Sequence, residues 1–275
     1  MNFSIQTASI TDKGLSSNYA VNEDSCLILE ADGVFAVADG VGGANAGDIA
    51  SQTAISTVRA LILREKNNDQ KTKENSIAFI KELIKAGNQA IHALAKARRQ
   101  QIASTLVIML IEEDYAILGH VGDSRIYVYR DKKLIQLTRD HSKLQNLIDN
   151  NLIKPAEESD FQDRHIITRA LGIKSTVEPG IQTVNLKNKD LFILCTDGIY
   201  IHNSDEEMLA NIEQNRGKLQ KICDVLKENC YEKGATDNLT AVVVKIATLD
   251  MDEEETKIMR APDYIDTIIK KQNLR

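Results

Sequence analysis

Five aspartates in this chain stand where an apolar run meets a glycine or another small residue. Asp39 follows Val34-Phe35-Ala36-Val37-Ala38 and leads into Gly40-Val41-Gly42-Gly43. Asp197 follows Leu191-Phe192-Ile193-Leu194-Cys195-Thr196 and precedes Gly198. Asp123 closes Leu118-Gly119-His120-Val121-Gly122. Asp24, in Asn22-Glu23-Asp24, opens the run at Ser25, and Asp237 with Asn238 opens the run Leu239 to Ile246. A carboxylate at the edge of a core is costly unless it is paired or bound to a cation. Hard cations such as Mg²⁺ and Mn²⁺ want a few carboxylates, a backbone carbonyl and waters. Glycines beside them let the backbone come close to the ion or its substrate. A lone Asp-Gly reads as a turn. Five such sites in one chain point instead to a shared cation site, although spacing alone does not bring them together.

Other chemistries find less support. The histidines at 92, 120, 141, 165 and 202 show no HxH or HxxxH spacing, which argues against zinc. The cysteines at 26, 195, 223 and 230 form no CxxC pair and read as reduced core residues of a cytoplasmic protein. Cys195 lies in no Cys-x5-Arg phosphate loop, since the residue at +5 is Tyr200.

The elements that must hold these aspartates are mostly short strands. The runs Ser25 to Leu29, Val34 to Ala38, Leu106 to Ile111, Tyr115 to Val121, Arg125 to Tyr129, Leu134 to Leu137, Leu191 to Cys195 and Leu239 to Ile246 read as strands. Asp32-Gly33 and Asp131-Lys132-Lys133 read as hairpin turns. Strands so close together predict antiparallel sheet rather than βαβ repeats. Two amphipathic helices interrupt them. One carries Ile49, Ala50, Thr53, Ala54, Thr57, Val58 and Leu61 on one face; the other carries Ile77, Ile80, Ile84, Ile91 and Ala95. Ser204-Asp205-Glu206-Glu207 is a capping box opening a further helix, and another covers Leu219 to Cys230. Residues 150 to 178 are polar and weakly periodic and read as an irregular insertion. Asp263 to Leu274 could form one last helix beyond an acidic run at 250 to 255.

The segments carrying the aspartates resemble the metal-dependent serine/threonine protein phosphatases of the PPM (type 2C) family, bacterial type. In family order they are Asn22-Glu23-Asp24-Ser25, Val37-Ala38-Asp39-Gly40-Val41-Gly42-Gly43, Ala103-Ser104-Thr105-Leu106-Val107 and Gly119-His120-Val121-Gly122-Asp123-Ser124-Arg125. Then come Leu137-Thr138-Arg139-Asp140-His141-Ser142, Ile167-Thr168-Arg169-Ala170-Leu171-Gly172, Leu194-Cys195-Thr196-Asp197-Gly198 and Ala235-Thr236-Asp237-Asn238-Leu239-Thr240. The resemblance implies an α+β, four-layer α-β-β-α sandwich of two antiparallel sheets flanked by helices. It places the catalytic domain at 1–247, with a flap at about 143–176, and leaves 248–275 as an acidic linker and helical tail. It implies two Mn²⁺ or Mg²⁺ ions and a possible third. Asp39, Asp197 and Asp237 would be the direct and catalytic carboxylate ligands, with Gly40 giving its carbonyl. Asp24 and Glu23 would hold metal-bound waters, and Asp123 a third ion together with Asp197. The implied reaction is hydrolysis of phosphoserine and phosphothreonine by a hydroxide bridging the metals. The implied partners are phosphorylated proteins, substrates of a Ser/Thr kinase, met by a monomer. A pseudophosphatase or a partner-activated regulatory module would carry the same motifs.

Two positions depart from the family pattern. Val41 stands where many members have a histidine after the first Asp-Gly. Tyr19 stands where an arginine usually contacts the substrate phosphate, and Lys13 is the nearest basic residue upstream.

The bulk properties agree with this reading. Lys+Arg number 34 and Asp+Glu 40, a formal charge of −6, which disfavours a nucleic-acid partner. No apolar run approaches the ~18 residues of a membrane span, and the first residues lack the basic and apolar regions of a secretory leader, so no membrane partner is expected.

Overall fold

The computed structural model describes residues 3–15, 21–42, 46–65, 72–153, 161, 163 and 166–248. Eleven strands among them form two antiparallel sheets. The first has the order β1 (Phe3–Asp12), β11 (Leu239–Thr248), β10 (Leu191–Cys195), β7 (Arg125–Arg130), β8 (Lys133–Gln136). The second has the order β2 (Asp24–Leu29), β3 (Val34–Gly42), β5 (Leu106–Ile111), β6 (Tyr115–Val121), β9 (Gly180–Asn185), and β4 (Ile102–Ser104) pairs with the end of β3.

Both faces of each sheet are covered, which is why the central strands read as continuous apolar runs. Side-chain alternation divides each run between two cores. In β3, Phe35 and Val37 face the other sheet and meet Val107, Met109, Phe192, Leu194 and Val242. Val34, Ala36 and Ala38 face the opposite way, under α1 (Gly47–Arg64) and α2 (Lys73–Arg98). In β10, Phe192 and Leu194 point between the sheets, while Leu191, Ile193 and Cys195 pack under α5 (Asp205–Asn215) and α6 (Leu219–Glu232). The result is the expected four-layer α-β-β-α sandwich.

Local signals explain the helix boundaries. Ser204 and Glu207 close the expected capping box at α5, and Thr72 caps α2 by accepting from the Asn75 N–H. The β7–β8 turn places Asp131 and Lys132 at φ 51° and 59°, as a tight hairpin with the twist of its strands requires. The helix faces shift from the expected ones. α1 buries Ile55 and Ile62 where the sequence suggested Ile49, Thr53 and Thr57, and α2 adds Leu83 and Gly87. α2 lies tight on β6, where a Cβ on Gly119 would stand 2.6 Å from Ile80 and 2.8 Å from Ile84.

The alternation Phe3-Ser4-Ile5 marks only the start of β1, which runs to Asp12, and two short strands carry no clear signal in the sequence. β4 spans only three residues. β9 is an edge strand whose Ile181-Gln182-Thr183-Val184 alternation is short and half-exposed. In the expected flap lies α3 (Lys143–Asp149), and bridges Ser142–Ile167 and Ser104–Leu171 hold the described residues from 166 on. The expected tail beyond residue 248 lies outside the described residues. No helix among them is long and apolar enough to cross a membrane.

The end of the sandwich away from the aspartates is closed by one buried ion pair. Arg130 on β7 gives Nε to Asp190 Oδ1 at 2.8 Å and Nη2 to the Asn185 carbonyl at 2.7 Å. It therefore ties the first sheet to β9 of the second. Its side chain is 2% exposed and that of Asp190 1%. Removing one member strands a buried charge, which costs about 3–5 kcal/mol. Arg130→Met should lower the urea-unfolding free energy by that amount, and Arg130→Met with Asp190→Leu should recover most of it. Equal instability of the single and double variants would contradict this account of the pair.

Candidate metal centre

The expected carboxylates all sit at one end of the sandwich, brought there by strand pairing. Asp24 on β2 pairs directly across from Asp39 on β3. Asp39 is gripped on its other side: its N–H donates to Thr105 Oγ1 at 2.9 Å, and the Thr105 N–H donates to its carbonyl at 2.8 Å. Thr105 Oγ1 meets Ser124 Oγ at 2.7 Å, which fixes the loop holding Asp123. Asp197 begins the short α4 (Asp197–Tyr200) where β10 ends, and the preceding Thr196 gives its hydroxyl to Asp24 Oδ2 at 2.8 Å. Asp237 precedes β11. The neighbouring Asn238 accepts from the Glu23 N–H at 2.7 Å and donates to the Lys13 carbonyl at 2.8 Å. The two sheets are thus laced together beside the acids by hydroxyls and amides that carry no charge.

Glycine is needed where these loops touch. A Cβ on Gly40 would lie 1.9 Å from the Gly47 carbonyl, and one on Gly14, at φ +75°, would lie 2.0 Å from the Asp237 carbonyl.

Electrostatics shows the acids acting on one another. Burial, then repulsion from Asp24, Asp197, Asp123 and Asp237, pushes the Asp39 carboxyl well above its usual range. Burial, then Asp123, Asp237 and Asp24, does the same to Asp197. Asp24 is pushed up to about 7 by burial and by Asp237 and Glu23, against hydrogen bonds from Thr196 and Thr240. Asp123, 3% exposed, is pushed up to about 7 by burial and by Asp140. Glu23 is raised by burial, with the Gly47 N–H opposing and Asp48 and Asp237 adding to the rise. Among the described residues no three His, Cys, Asp or Glu groups form a closed ligand cluster. The carboxylates share electrostatic reach without closing on one another.

The donor chemistry fits a hard divalent cation. Among the described residues three buried side-chain oxygens lack any hydrogen-bond partner: Oδ1 of Asp197, Asp123 and Asp48. Orphaned buried carboxylate oxygens are costly, and a cation would satisfy them. The set offers oxygen only, the preference of Mg²⁺ and Mn²⁺.

Other expected residues fall as follows. Tyr19 lies outside the described residues. Lys13 is exposed, with its backbone against Asn238. Val41 is 45% exposed on β3. Arg125 makes a bidentate pair with Asp140, not with Asp123, and its guanidinium lies 3.7 Å over the Tyr200 ring. His120 and His141 stack at 4.7 Å, and the Gly122 N–H donates to His141 Nδ1. Burial, His120 and Arg169 press the His141 pKa down to about 3, so this imidazole is a neutral prop of the Asp123 loop. Cys195 is buried two residues before Asp197, and burial pushes its thiol far up. Asp48, at the start of α1, went unnoticed in the sequence; a carboxylate in the first turn of a helix after a glycine-rich turn was the available signal.

The Protein phosphatase 2C family model matches residues 14–243. The chain is 32% identical over 248 residues to the serine/threonine protein phosphatase PstP of Mycobacterium tuberculosis, covering 90% of this chain and 46% of PstP. It is 30% identical over 241 residues to the serine/threonine phosphatase stp of Listeria monocytogenes, covering 86% of this chain and 93% of that protein. The crystal structure of the catalytic domain of PstP in complex with two manganese ions matches with a TM-score of 0.77 at 31% identity, over 89% of this chain and 99% of that one. The fold is that of the phosphatase catalytic domains it matches. The chain belongs to the protein phosphatase 2C (PPM) family. It spans about half the length of PstP.

A carboxyl that is protonated when folded and ionised when unfolded makes the fold less stable as pH rises between the two pKa values. For Asp24 and Asp123 that window runs from 3.8 to about 7; for Asp197 it opens at 3.8, and the carboxyl is raised well above that value. His120 and His141, whose pKa values are lowered, act in the opposite sense below about pH 6.5. Comparing wild type with Asp197→Asn in EDTA cancels the histidines. The variant should gain on the wild type as pH rises above 3.8, by up to about 1.4 kcal/mol per pH unit. Mn²⁺ at pH 7.5 should raise the wild-type Tm and raise that of the variant much less. A stability difference that does not change with pH would remove Asp197 from the repelling cluster.

Proposed function

We propose that the chain is a divalent-cation-dependent protein phosphatase that hydrolyses phosphoserine and phosphothreonine in proteins. The observation that carries this reading is the set of mutually repelling carboxylates, with orphaned buried oxygens, at the open end of a two-sheet core. The PstP structure in complex with two manganese ions supports a pair of divalent cations. Asp39, Asp197, Asp237 and the Gly40 carbonyl would hold two ions. Asp24 and Glu23 would orient waters around them, and Asp123 with Asp197 would hold a third, weaker ion. Mn²⁺ or Mg²⁺ bound there would supply Lewis acidity toward phosphoryl oxygens and an ionisable water.

The chain's own groups set the rest. Thr105, Thr196 and Asn238 fix the directions of the acids through uncharged hydrogen bonds, so the negative charge remains available to cations. Val41 has no titratable group, so the chain offers no acid of its own at the residue after Asp39-Gly40. A cysteine mechanism is disfavoured, because the Cys195 thiol is buried and held protonated. The free cysteines support action inside the cell; the substrates would be proteins phosphorylated by a Ser/Thr kinase, met by a monomer.

Asp39→Asn, Asp197→Asn and Asp237→Asn should each lower kcat by at least about 100-fold with a folded circular-dichroism spectrum, because the cation-held water is lost rather than packing. Asp123→Ala should lower turnover while two tight Mn²⁺ sites persist by calorimetry. EDTA should abolish p-nitrophenyl phosphate hydrolysis. Near-wild-type turnover in Asp197→Asn would sink the assignment.

Phosphate capture is expected to be weak. An arginine can give a phosphate two charge-assisted hydrogen bonds and neutral Tyr19 only one lesser donor. Such bonds are worth ~1.5–3 kcal/mol. Tyr19→Arg should therefore lower the KM for a phosphopeptide about tenfold or more, with Lys13→Ala then mattering little. A sharp KM rise in Lys13→Ala, with no effect of Tyr19→Arg, would make Lys13 the anchor.

A further inference from the structure

A cleft of about 320 Å³ lies between the last turns of α2 and the end of the expected flap, lined by His92, Ala95, Lys96, Ile102, Gly172 and Ile173 among others. Its walls are built into the fold. Gly172 donates its N–H to Asn88 Oδ1 at 2.9 Å, its carbonyl meets His92 Nδ1 at 2.9 Å, and Asn88 Nδ2 donates to the Lys174 carbonyl at 3.1 Å. Gly172 is at φ +90°, and a Cβ there would stand 2.3 Å from Ile91. Ile173 is nevertheless 56% exposed at the rim.

The cleft is next to the metal centre. Ile102 pairs with Gly42, two residues beyond Gly40. At ~3.3 Å per residue the cleft wall begins about 7 Å from Gly40.

Its surroundings are basic in an acidic chain. Lys96, Arg98, Arg99 and Lys174 are exposed, and none has a carboxylate partner among the described residues. Between Glu82 and Glu112 the sequence holds no Asp or Glu. The helix dipole accounts for cations in the last turn of α2. It does not account for Lys174, nor for an exposed isoleucine beside a preformed cleft.

We propose that this cleft receives the stretch of a phosphoprotein substrate next to its phosphorylated residue, and that it selects stretches in which an apolar side chain is flanked by carboxylates. This rests on the phosphatase reading above. Ile102 and Ile173 contact the apolar side chain, and Lys96 and Lys174 reach the carboxylates with flexible stems. An extended peptide with its phosphate at the metal centre enters the cleft from about the second residue out.

The test uses the full chain with Mn²⁺ and three phosphothreonine peptides of equal length. They carry leucine flanked by glutamate, by glutamine or by lysine on both sides of the phosphothreonine. The glutamate peptide should show the highest kcat/KM, through KM, and its advantage should vanish at high salt. Lys96→Glu combined with Lys174→Glu should lower kcat/KM for that peptide about tenfold. It should leave p-nitrophenyl phosphate, which is too small to reach the cleft, unchanged. Fluorescence anisotropy of the labelled peptides reads the same preference without turnover. Loss of the phosphatase reading would show as no Mn²⁺-dependent p-nitrophenyl phosphate hydrolysis. Loss of this proposal would show as equal binding of the glutamate and lysine peptides. A charge reversal that leaves all peptides unaffected but changes the sedimentation coefficient would assign the cleft to contact between copies of the chain and would overturn the proposal.

Discussion

Mutual repulsion among carboxylates held at the edge of a dry core is the constraint around which the rest of this molecule is arranged. Asp24, Asp39, Asp123 and Asp197 each have a raised pKa with burial as the leading cause and neighbouring carboxylates adding to it. Such a cluster disfavours the fold that holds it, and something else must keep the strands in place. Here it is the two-sheet core, whose alternating side chains are shared between the central layer and the flanking helices. Strain is tolerated at one end because the packing elsewhere determines where each strand ends.

The groups nearest the acids continue the same logic. Thr196 and Asn238 reach Asp24 and Glu23 across the gap between sheets, Thr105 holds Asp39 and Ser124, and none adds a positive charge. An internal lysine or arginine would neutralise the cluster and remove its appetite for cations. The charged partnerships stand farther out. Arg125 is taken up by Asp140 and the Tyr200 ring, and Arg130 by Asp190 at the far end.

Much of this was legible in the sequence because it depends on runs and their ends. The strands β3, β5, β6, β7 and β10 are continuous apolar runs, and the residue where each stops is a local signal. Convergence of the five aspartates was not legible, since it depends on the hairpin of β2 and β3 packing beside β10 and β11, and Asp39 and Asp197 are roughly 550 Å of extended chain apart in the unfolded state. The family motifs supplied that order, and pairings such as Asp24 with Asp39 give it a physical form. β4 and β9 escaped because they are short edge elements held by their partners more than by their own residues. The helix faces of α1 shifted because small residues (Ala50, Ser51, Ala54) let it lie close on β3, a choice set by packing distance rather than by hydropathy. Asp48 was missed because one acid at a helix start is ordinary on its own.

The buried thiols carry a different consequence. Cys223 and Cys230 are pushed up to about 12 and about 11 by burial, and Cys195, two residues from Asp197, is raised as well. Only the thiolate reacts readily with peroxide or alkylating agents, and at neutral pH these positions hold almost none. Phosphatases that rely on a cysteine nucleophile are silenced by an oxidative burst. In a chain whose candidate site rests on carboxylates, with three of its four thiols buried and only Cys26 half-exposed, the acidic end contains no sulfur for such a burst to reach.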